Sequence, residues 1–294
     1  MSAKDWADEL IEWADTNNVE RYHFEASDRL AAGGFWSGFP RDKKTLLNLK
    51  SLNLINAAMP PESIANLERL TELAIYGAKI SKLPEWIANM TKLKTLIIVC
   101  GKLTKLPKSI ENMRDLETLQ LDQNRLTTLP ESIGALENLK WLDISYNPIK
   151  KLPKSIQKLH NLTILSMIDT KLTALPECIA NLTNLTMLSA SRNQITKAPE
   201  WIGALTKLET LDLSDNKLVE LPESIGALTN LTTLALSRNK LTKLPESIGN
   251  ITKLRRLYLI KNKLTSLPES INRLKYLTNL RLENNPLTKA IDKR

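Results

Sequence analysis

The side chains best suited to covalent or metal chemistry are few in this 294-residue sequence. It contains two cysteines, Cys100 and Cys178, and two histidines, His23 and His160. Neither histidine neighbours a cysteine, and the phosphate-loop, serine-hydrolase and zinc-protease motifs (G-x-x-x-x-G-K-S/T, G-x-S-x-G and H-E-x-x-H) are absent. We therefore expect a protein without enzymatic activity, without a cofactor and without a metal site.

The regular spacing of proline organises most of the chain. Nine residues after each proline, a leucine opens the frame L-x-x-L-x-L-x-x-N-x-L, as in LETLDLSDNKL from Leu208 to Leu218. A fixed period of this length predicts a solenoid of stacked repeats, in which each repeat buries its apolar face against its neighbours. The prolines recur every 23 residues at Pro61, Pro84, Pro107, Pro130, Pro153, Pro176, Pro199, Pro222, Pro245 and Pro268.

Each repeat carries the signals of a short strand followed by a short helix. Counting the opening leucine as position 1, leucines at positions 4 and 6 alternate with polar residues, which predicts a strand with one buried face. The asparagine at position 9, for example Asn216, can bond backbone groups where the strand ends. The following L-P-E-S-I favours a short helix, because proline suits its first turn and glutamate suits its positive end. Asparagine is missing at Ala78, Gly101 and Thr170, which we interpret as tolerated drift rather than reshaping for a ligand.

This frame is identified as the leucine-rich repeat. The 23-residue L-P-x-x-I form resembles bacterial intracellular or effector leucine-rich repeat proteins and the Ras-group scaffold proteins. The resemblance implies an α/β solenoid, a horseshoe with a parallel concave β-sheet and short helical or 3-10 convex segments, and a binding function rather than an activity. We expect an N-terminal cap over residues 1–39, about eleven repeats over 40–289 and a C-terminal tail over 290–294.

The N-terminal segment predicts a cap for the open end of the solenoid. Trp6, Leu10 and Trp13 have the spacing of one face of a helix over about residues 4–16. A strand is expected around Phe24, with Tyr22 and Ala26 on the same face. We expect Phe35, Trp36 and Phe39 to surround Gly33, Gly34 and Gly38 in a turn, and the aromatic residues to fill the cap rather than bind a ligand.

Charge is distributed unevenly over a chain whose formal net charge is +9. Residues 251–294 contain eleven Lys or Arg and three acids, whereas residues 1–48 contain six bases and nine acids. This gradient could steer an acidic partner, although a solvated basic end explains it as well. Nucleic acid is not expected, because no binding motif is present and, apart from Tyr258, the concave side has no aromatic residues interleaved with the basic ones. The last predicted strand, near Leu280, would have a free edge that charged side chains could protect or that could pair with another chain.

The compartment is inferred from the N-terminus and the thiols. The start, MSAKDWADELIEW, has acids where a secretion signal has bases, and 18 successive apolar residues occur nowhere. Cys100 and Cys178 would be more than three strand spacings apart, roughly 16 Å, which is too far for a disulfide. We therefore expect free thiols, no membrane span, and a protein that is cytoplasmic or exported without a cleaved signal.

Partner recognition is predicted on the concave side of the sheet. Large apolar side chains fall at positions where small polar ones would suit solvent, and Trp141, Ile164 and Met187 should form a row across neighbouring strands. Such patches tend to be interaction sites, although cross-strand packing could also account for them. The predicted partner-binding residues are Tyr76, Ile97, Val99, Trp141, Tyr146, Ile164, Ile168, Met187, Arg192, Arg238, Arg256 and Tyr258.

The sequence thus predicts a non-catalytic, predominantly monomeric module that binds a protein partner on its concave face. Two alternatives remain open. One is the substrate-recognition part of a bacterial effector of the ubiquitin-ligase type, and the other is a structural solenoid that assembles with itself.

Overall fold

The computed structural model describes residues 5–21, 23–25, 35–77 and 80–287. The chain divides into an N-terminal unit, Met1–Trp141, and a C-terminal unit, Leu142–Arg294. Tyr22, Ala26, Gly33, Gly34, Ala78 and the predicted tail lie outside the described residues.

The N-terminal unit begins with helix α1 (Trp6–Thr16), where Asp5 accepts a hydrogen bond from the backbone N–H of Ala7. Two short antiparallel strands follow, β1 (His23–Glu25) and β2 (Phe35–Ser37), so residues 35–37 form a strand and not the predicted turn. Helix α2 (Lys43–Asn48) leads into the repeats. The parallel strands of this unit are β3 (Ser51–Ile55), β4 (Glu72–Tyr76), β5 (Thr95–Val99) and β6 (Thr118–Gln120).

The N-terminal cap is built on Phe39, whose side chain is completely buried. The rings of Trp13 and Phe39 meet edge to face with centroids 5.6 Å apart. Arg41 pairs with Asp15 at 2.7 Å and donates to the backbone carbonyls of Phe39 and Val19. The predicted N-terminal helix is therefore confirmed, and its buried residues Ala7, Leu10 and Ala14 face the first repeat helix, Glu62–Asn66.

Strand β7 (Trp141–Asp143) begins at the last residue of the N-terminal unit. The C-terminal unit then contains parallel strands that pair in sequence order. They are β8 (Ile164–Ser166), β9 (Met187–Ser189), β10 (Thr210–Asp212), β11 (Thr233–Ala235), β12 (Arg256–Tyr258) and β13 (Asn279–Arg281).

A short 3-10 helix follows each proline of the repeat. The prolines supply the extended N-cap residue with φ near −70°, for example −73° at Pro222. The isoleucine three places later is buried in each of these helices except the last, where Ile271 is half-buried. These helices are Glu62–Asn66, Glu85–Asn89, Lys108–Asn112, Glu131–Ala135, Lys154–Lys158, Glu177–Asn181, Glu200–Ala204, Glu223–Ala227, Glu246–Asn250 and Glu269–Arg273.

The core of each unit lies between its sheet and its 3-10 helices. Adjacent strands pair leucine with leucine, such as Leu188 with Leu211 and Leu211 with Leu234, and these side chains are completely buried. The predicted leucine-rich repeat solenoid, with parallel strands, short convex 3-10 segments and an N-terminal helix, is confirmed.

Candidate partner-binding face of the sheet

Each repeat presents its surface through a few positions of the frame. Positions 4 and 6 of a strand point into the core, so positions 3 and 5 point away from it, and positions 7 and 8 follow at the strand end. We call the surface formed by positions 3, 5, 7 and 8 the sheet face.

The strand ends are held in place by buried asparagines at position 9. In the C-terminal unit, Asn216 Nδ2 donates to the carbonyl of Ala190 in the preceding repeat at 2.9 Å, and its Oδ1 accepts from the N–H of Ile195 at 3.0 Å. Asn193, Asn239 and Asn262 make the same two kinds of contact with the repeat before them. The predicted role of this asparagine is therefore present, and it fixes the backbone that carries the sheet face.

The repeat of the C-terminal unit that has Thr170 in place of this asparagine satisfies its backbone differently. The hydroxyl of Thr170 donates to Asn193 Oδ1 at 2.6 Å, and Thr170 is 1% exposed. The N–H of Ile149, which would otherwise reach an asparagine at position 170, donates to the carbonyl of Asn147 at 2.8 Å. The same hydroxyl lies 3.3 Å from the carbonyl of Met167, so it takes the place of the several amide contacts that an asparagine makes at this position.

Position 8 adopts a left-handed backbone conformation, which we did not predict from the sequence. Its φ is +55° at Tyr146, +56° at Arg192 and +57° at Arg238, and Gly77 occupies the same place in an early repeat with φ +68°. This conformation is uncommon for residues with a side chain. Gly77 and Asp215, both at position 8, were the available sequence signal, because glycine and aspartate adopt the left-handed conformation more readily than other residues. The turn aims the side chain at position 8 outward from the end of the strand.

The sheet face of the N-terminal unit carries four of the predicted binding residues. Trp141 is 36% exposed, whereas Tyr76 and Ile97 are half-buried. Partial burial raises the pKa of the Tyr76 hydroxyl, and the nearby Asp122 carboxylate raises it further. Val99 is buried, contrary to its predicted exposure, because its register partner on β4 is the bulky Tyr76.

The sheet face of the C-terminal unit carries an apolar patch, which we define as Tyr146, Ile164, Ile168 and Met187. Tyr146 is 41% exposed and Met187 is 38% exposed, and Ile164 and Ile168 are half-buried. Ile164 and Met187 are register partners on β8 and β9, and the N–H of Tyr146 donates to the carbonyl of Ile168. The structure therefore brings these predicted residues together on β8 and β9 and at the ends of β7 and β8.

The remaining predicted residues lie on the same face of the C-terminal unit. Arg192 and Arg238 are exposed, and Arg238 lies 3.7 Å from the carboxylate of Asp215. Arg256 is exposed and Tyr258 is half-buried two residues further along β12. The face thus changes from apolar on β8 and β9 to cationic on β12.

Other reactive groups do not converge. Neither Cys100 nor Cys178 forms a disulfide, and partial desolvation together with Asp122 raises the pKa of Cys100. Over the described ranges, no group of three His, Cys, Asp or Glu is arranged to hold a metal ion. In the same ranges, no helix has the length and apolar character needed to cross a membrane.

The fold and this face define a repeat protein that displays a sheet surface. A family model for the leucine-rich repeat region matches residues 118–211 and 188–286. The chain is 36% identical to a leucine-rich repeat protein of Leptospira interrogans with a TM-score of 0.75, covering 85% of this chain and 70% of that one. The chain belongs to the leucine-rich repeat family.

More distant solved structures share the fold. An internalin of Listeria monocytogenes is 20% identical with a TM-score of 0.66, covering 94% of this chain and 82% of that one. The Arabidopsis receptor kinase HAESA, solved with the peptide hormone IDA and the co-receptor SERK1, is 28% identical with a TM-score of 0.68, covering 96% of this chain and 51% of that one. No curated protein matches the sequence. Proteins of this family are generally non-catalytic scaffolds that bind other proteins.

Proposed function

We propose that this protein is a non-catalytic recognition module that binds a protein partner through the sheet face. The observation that carries the proposal is the apolar patch of the C-terminal unit, where Tyr146 and Met187 expose large apolar surface beside Ile164 and Ile168. Large apolar side chains in contact with water favour association, because binding removes that surface from solvent.

Buried hydrogen bonds link the strands that carry the patch, which suits recognition. Ser145 and Ser166 are buried on the same face as the patch, at positions 7 and 5, and their hydroxyl oxygens are 2.8 Å apart. The hydroxyl of Ser145 also accepts from the N–H of Ile168 at 3.0 Å. A side chain on such a backbone loses little freedom on binding, so more of the contact energy is available for affinity.

The N-terminal unit contributes a second group of contacts in this proposal. Trp141 is exposed on its sheet face, and tryptophan is a frequent anchor of protein interfaces. Tyr76 and Ile97 add partly exposed apolar surface, and Val99 supports Tyr76 from its buried position.

The test compares partner capture by the wild-type chain with capture by an Ile164→Ser/Met187→Ser variant. Bound proteins would be fixed by chemical cross-linking and identified by mass spectrometry. The matched control is Val219→Ser/Tyr276→Ser, because these residues are 50% and 62% exposed and lie off the sheet face. We expect the first variant to lose a partner that the control retains, with both variants folded as judged by circular dichroism. Retention of every partner by the folded patch variant would contradict the proposal.

A further inference from the structure

The sheet face of the C-terminal unit is graded from apolar to cationic along one row of register partners. At position 3, Ile164 pairs with Met187, Met187 with Thr210, Thr210 with Thr233, and Thr233 with Arg256. The last strands then present cations, with Arg256 on β12, Lys261 at the end of β12 and Arg281 on β13.

Two of these cations have no acidic partner among the residues that the structure describes. Arg256 is exposed and donates through Nε to the hydroxyl of Thr233 at 3.0 Å, which leaves the terminal nitrogens of its guanidinium group directed to solvent. Lys261 is exposed and held in the left-handed turn at position 8, with φ +57°. By contrast, Arg238 lies 3.7 Å from Asp215, and Arg281 lies 3.4 Å from Glu283.

We infer that the protein partner docks an extended segment across β8 to β12, with its apolar side chains on Ile164 and Met187 and acidic side chains on Arg256 and Lys261. This inference rests on the proposed function, and it adds the chemistry of the partner. A guanidinium group suits a carboxylate, since it can donate two parallel hydrogen bonds. The hydroxyl of Tyr258, two residues along the strand from Arg256, supplies a further hydrogen-bonding group.

The distance between the two ends of this surface sets the spacing in the partner. Met187 and Arg256 occupy strands β9 and β12, which are three strand steps apart in the register. Three steps span about 14 Å, and an extended chain advances about 3.4 Å per residue. The acidic residues should therefore follow or precede the apolar ones by about four residues.

The carboxylates near this surface favour a protein segment with acids at one end over a nucleic acid. Asp212 lies on β10 and Asp215 at its end, and Glu283 lies beyond β13. A continuous phosphate backbone would be repelled by these carboxylates. A segment whose acids are confined to one end avoids them.

The experiment is a selection of short linear peptides displayed against the full chain, followed by fluorescence anisotropy with the enriched peptides. The charge variant is Arg256→Glu/Lys261→Glu. Its matched control is Lys240→Glu/Lys263→Glu. It makes the same charge change at two exposed residues that directly follow position-9 asparagines and lie off the sheet face. The patch variant Ile164→Ser/Met187→Ser reports on the proposed function separately, and a labelled single-stranded oligonucleotide reports on nucleic acid.

We expect enriched peptides to carry acids about four residues from an apolar pair. Their affinity should fall about tenfold or more in the charge variant and weaken with added salt, but stay close to wild type in the control. If peptides depend on the patch but show no acidic bias, or bind the charge variant equally well, this inference is wrong and the proposed function stands. If no enriched peptide depends on the patch or on the two cations, both this inference and the proposed function are wrong. Oligonucleotide binding that depends on Arg256 and exceeds peptide binding would also overturn the inference.

Discussion

The position-9 asparagine Asn216 allows the loss of stability in a variant to be worked out from the hydrogen bonds that its amide group makes. In an Asn216→Ala variant the side-chain amide is lost from a site that is 7% exposed. Asn216 Nδ2 donates to the carbonyls of Ala190, Leu213 and Ser214, and Oδ1 accepts from the N–H of Ile195.

The three carbonyl groups are not left without hydrogen bonds in this variant, because each still accepts from another donor. Ala190 still accepts from Asn193 Nδ2, and Leu213 still accepts from Asn239 Nδ2. Ser214 still accepts from the N–H of Arg192. Only the N–H of Ile195 is left without a partner.

A buried donor without a partner costs about 1–3 kcal/mol. The small cavity left by the amide and the three weakened carbonyl contacts add to that cost. We therefore expect the free energy of unfolding to fall by about 2–4 kcal/mol.

Urea denaturation measures this loss, and hydrogen exchange locates it at the amide of Ile195. The control is Asn230→Ala, which removes an exposed amide that donates to the Thr206 carbonyl at 2.9 Å and accepts from Lys253 at 2.8 Å. Water can replace both contacts, so the control should lose less than about 1 kcal/mol. Equal losses in the two variants, or unchanged exchange at Ile195, would refute the reasoning.

Three further predictions concern the N-terminal unit. Phe39→Ala should lower the free energy of unfolding by about 3–5 kcal/mol, because a completely buried ring packed on Trp13 is removed; chemical denaturation measures the loss, and a value under 1 kcal/mol would show that the ring is dispensable. Gln123 has a left-handed backbone with φ +56°, which glycine adopts easily and a β-branched residue does not. Gln123→Gly should therefore leave the free energy of unfolding nearly unchanged, whereas Gln123→Val should lower it by about 1–2 kcal/mol. Thermal unfolding measures the difference, and equal melting temperatures of the two variants would be inconsistent with the left-handed turn. Burial raises the pKa of the Tyr76 hydroxyl above its ordinary value of 10.0, and the Asp122 carboxylate adds to the shift. The neutral Tyr76 therefore stabilises the fold below pH 10, and this stabilisation is lost as the pH rises above 10. Phenolate absorbance should show a tyrosine in wild type that titrates late, and the reasoning would be wrong if the difference between the wild-type and Tyr76→Phe titrations lacked it.

The buried framework could be predicted from the sequence because it depends on a few repeated letters. Leucines at positions 1, 4 and 6, the isoleucine of the 3-10 helix and the asparagine of position 9 recur with a fixed period, so each has one environment. Leu211, Ile225 and Asn216 all proved buried as the pattern required.

Other features had no such periodic signal. The left-handed position 8 is filled by chemically unrelated residues, including Cys100, Tyr146 and Lys261, because the backbone hydrogen bonds of the turn and not the side chain impose the conformation. Strand β2 was predicted as a turn, since its pairing with β1 depends on a contact across the cap. Val99 was predicted to be exposed because alternation alone ignores the size of its neighbour Tyr76.

The binding residues remain a prediction for a physical reason that also makes them testable. The position-9 asparagines and core leucines stabilise each repeat from within, so the side chains at position 3, such as Ile164 and Arg256, can vary with little effect on folding. Sequence alone therefore cannot tell selection for a partner from tolerance at Ile164 or Arg256. The same separation means that substitutions there should change binding while leaving the free energy of unfolding within about 1 kcal/mol of wild type. A variant at these positions that lost both binding and stability would show that recognition and folding share residues, and would remove the basis for assigning the sheet face a role of its own.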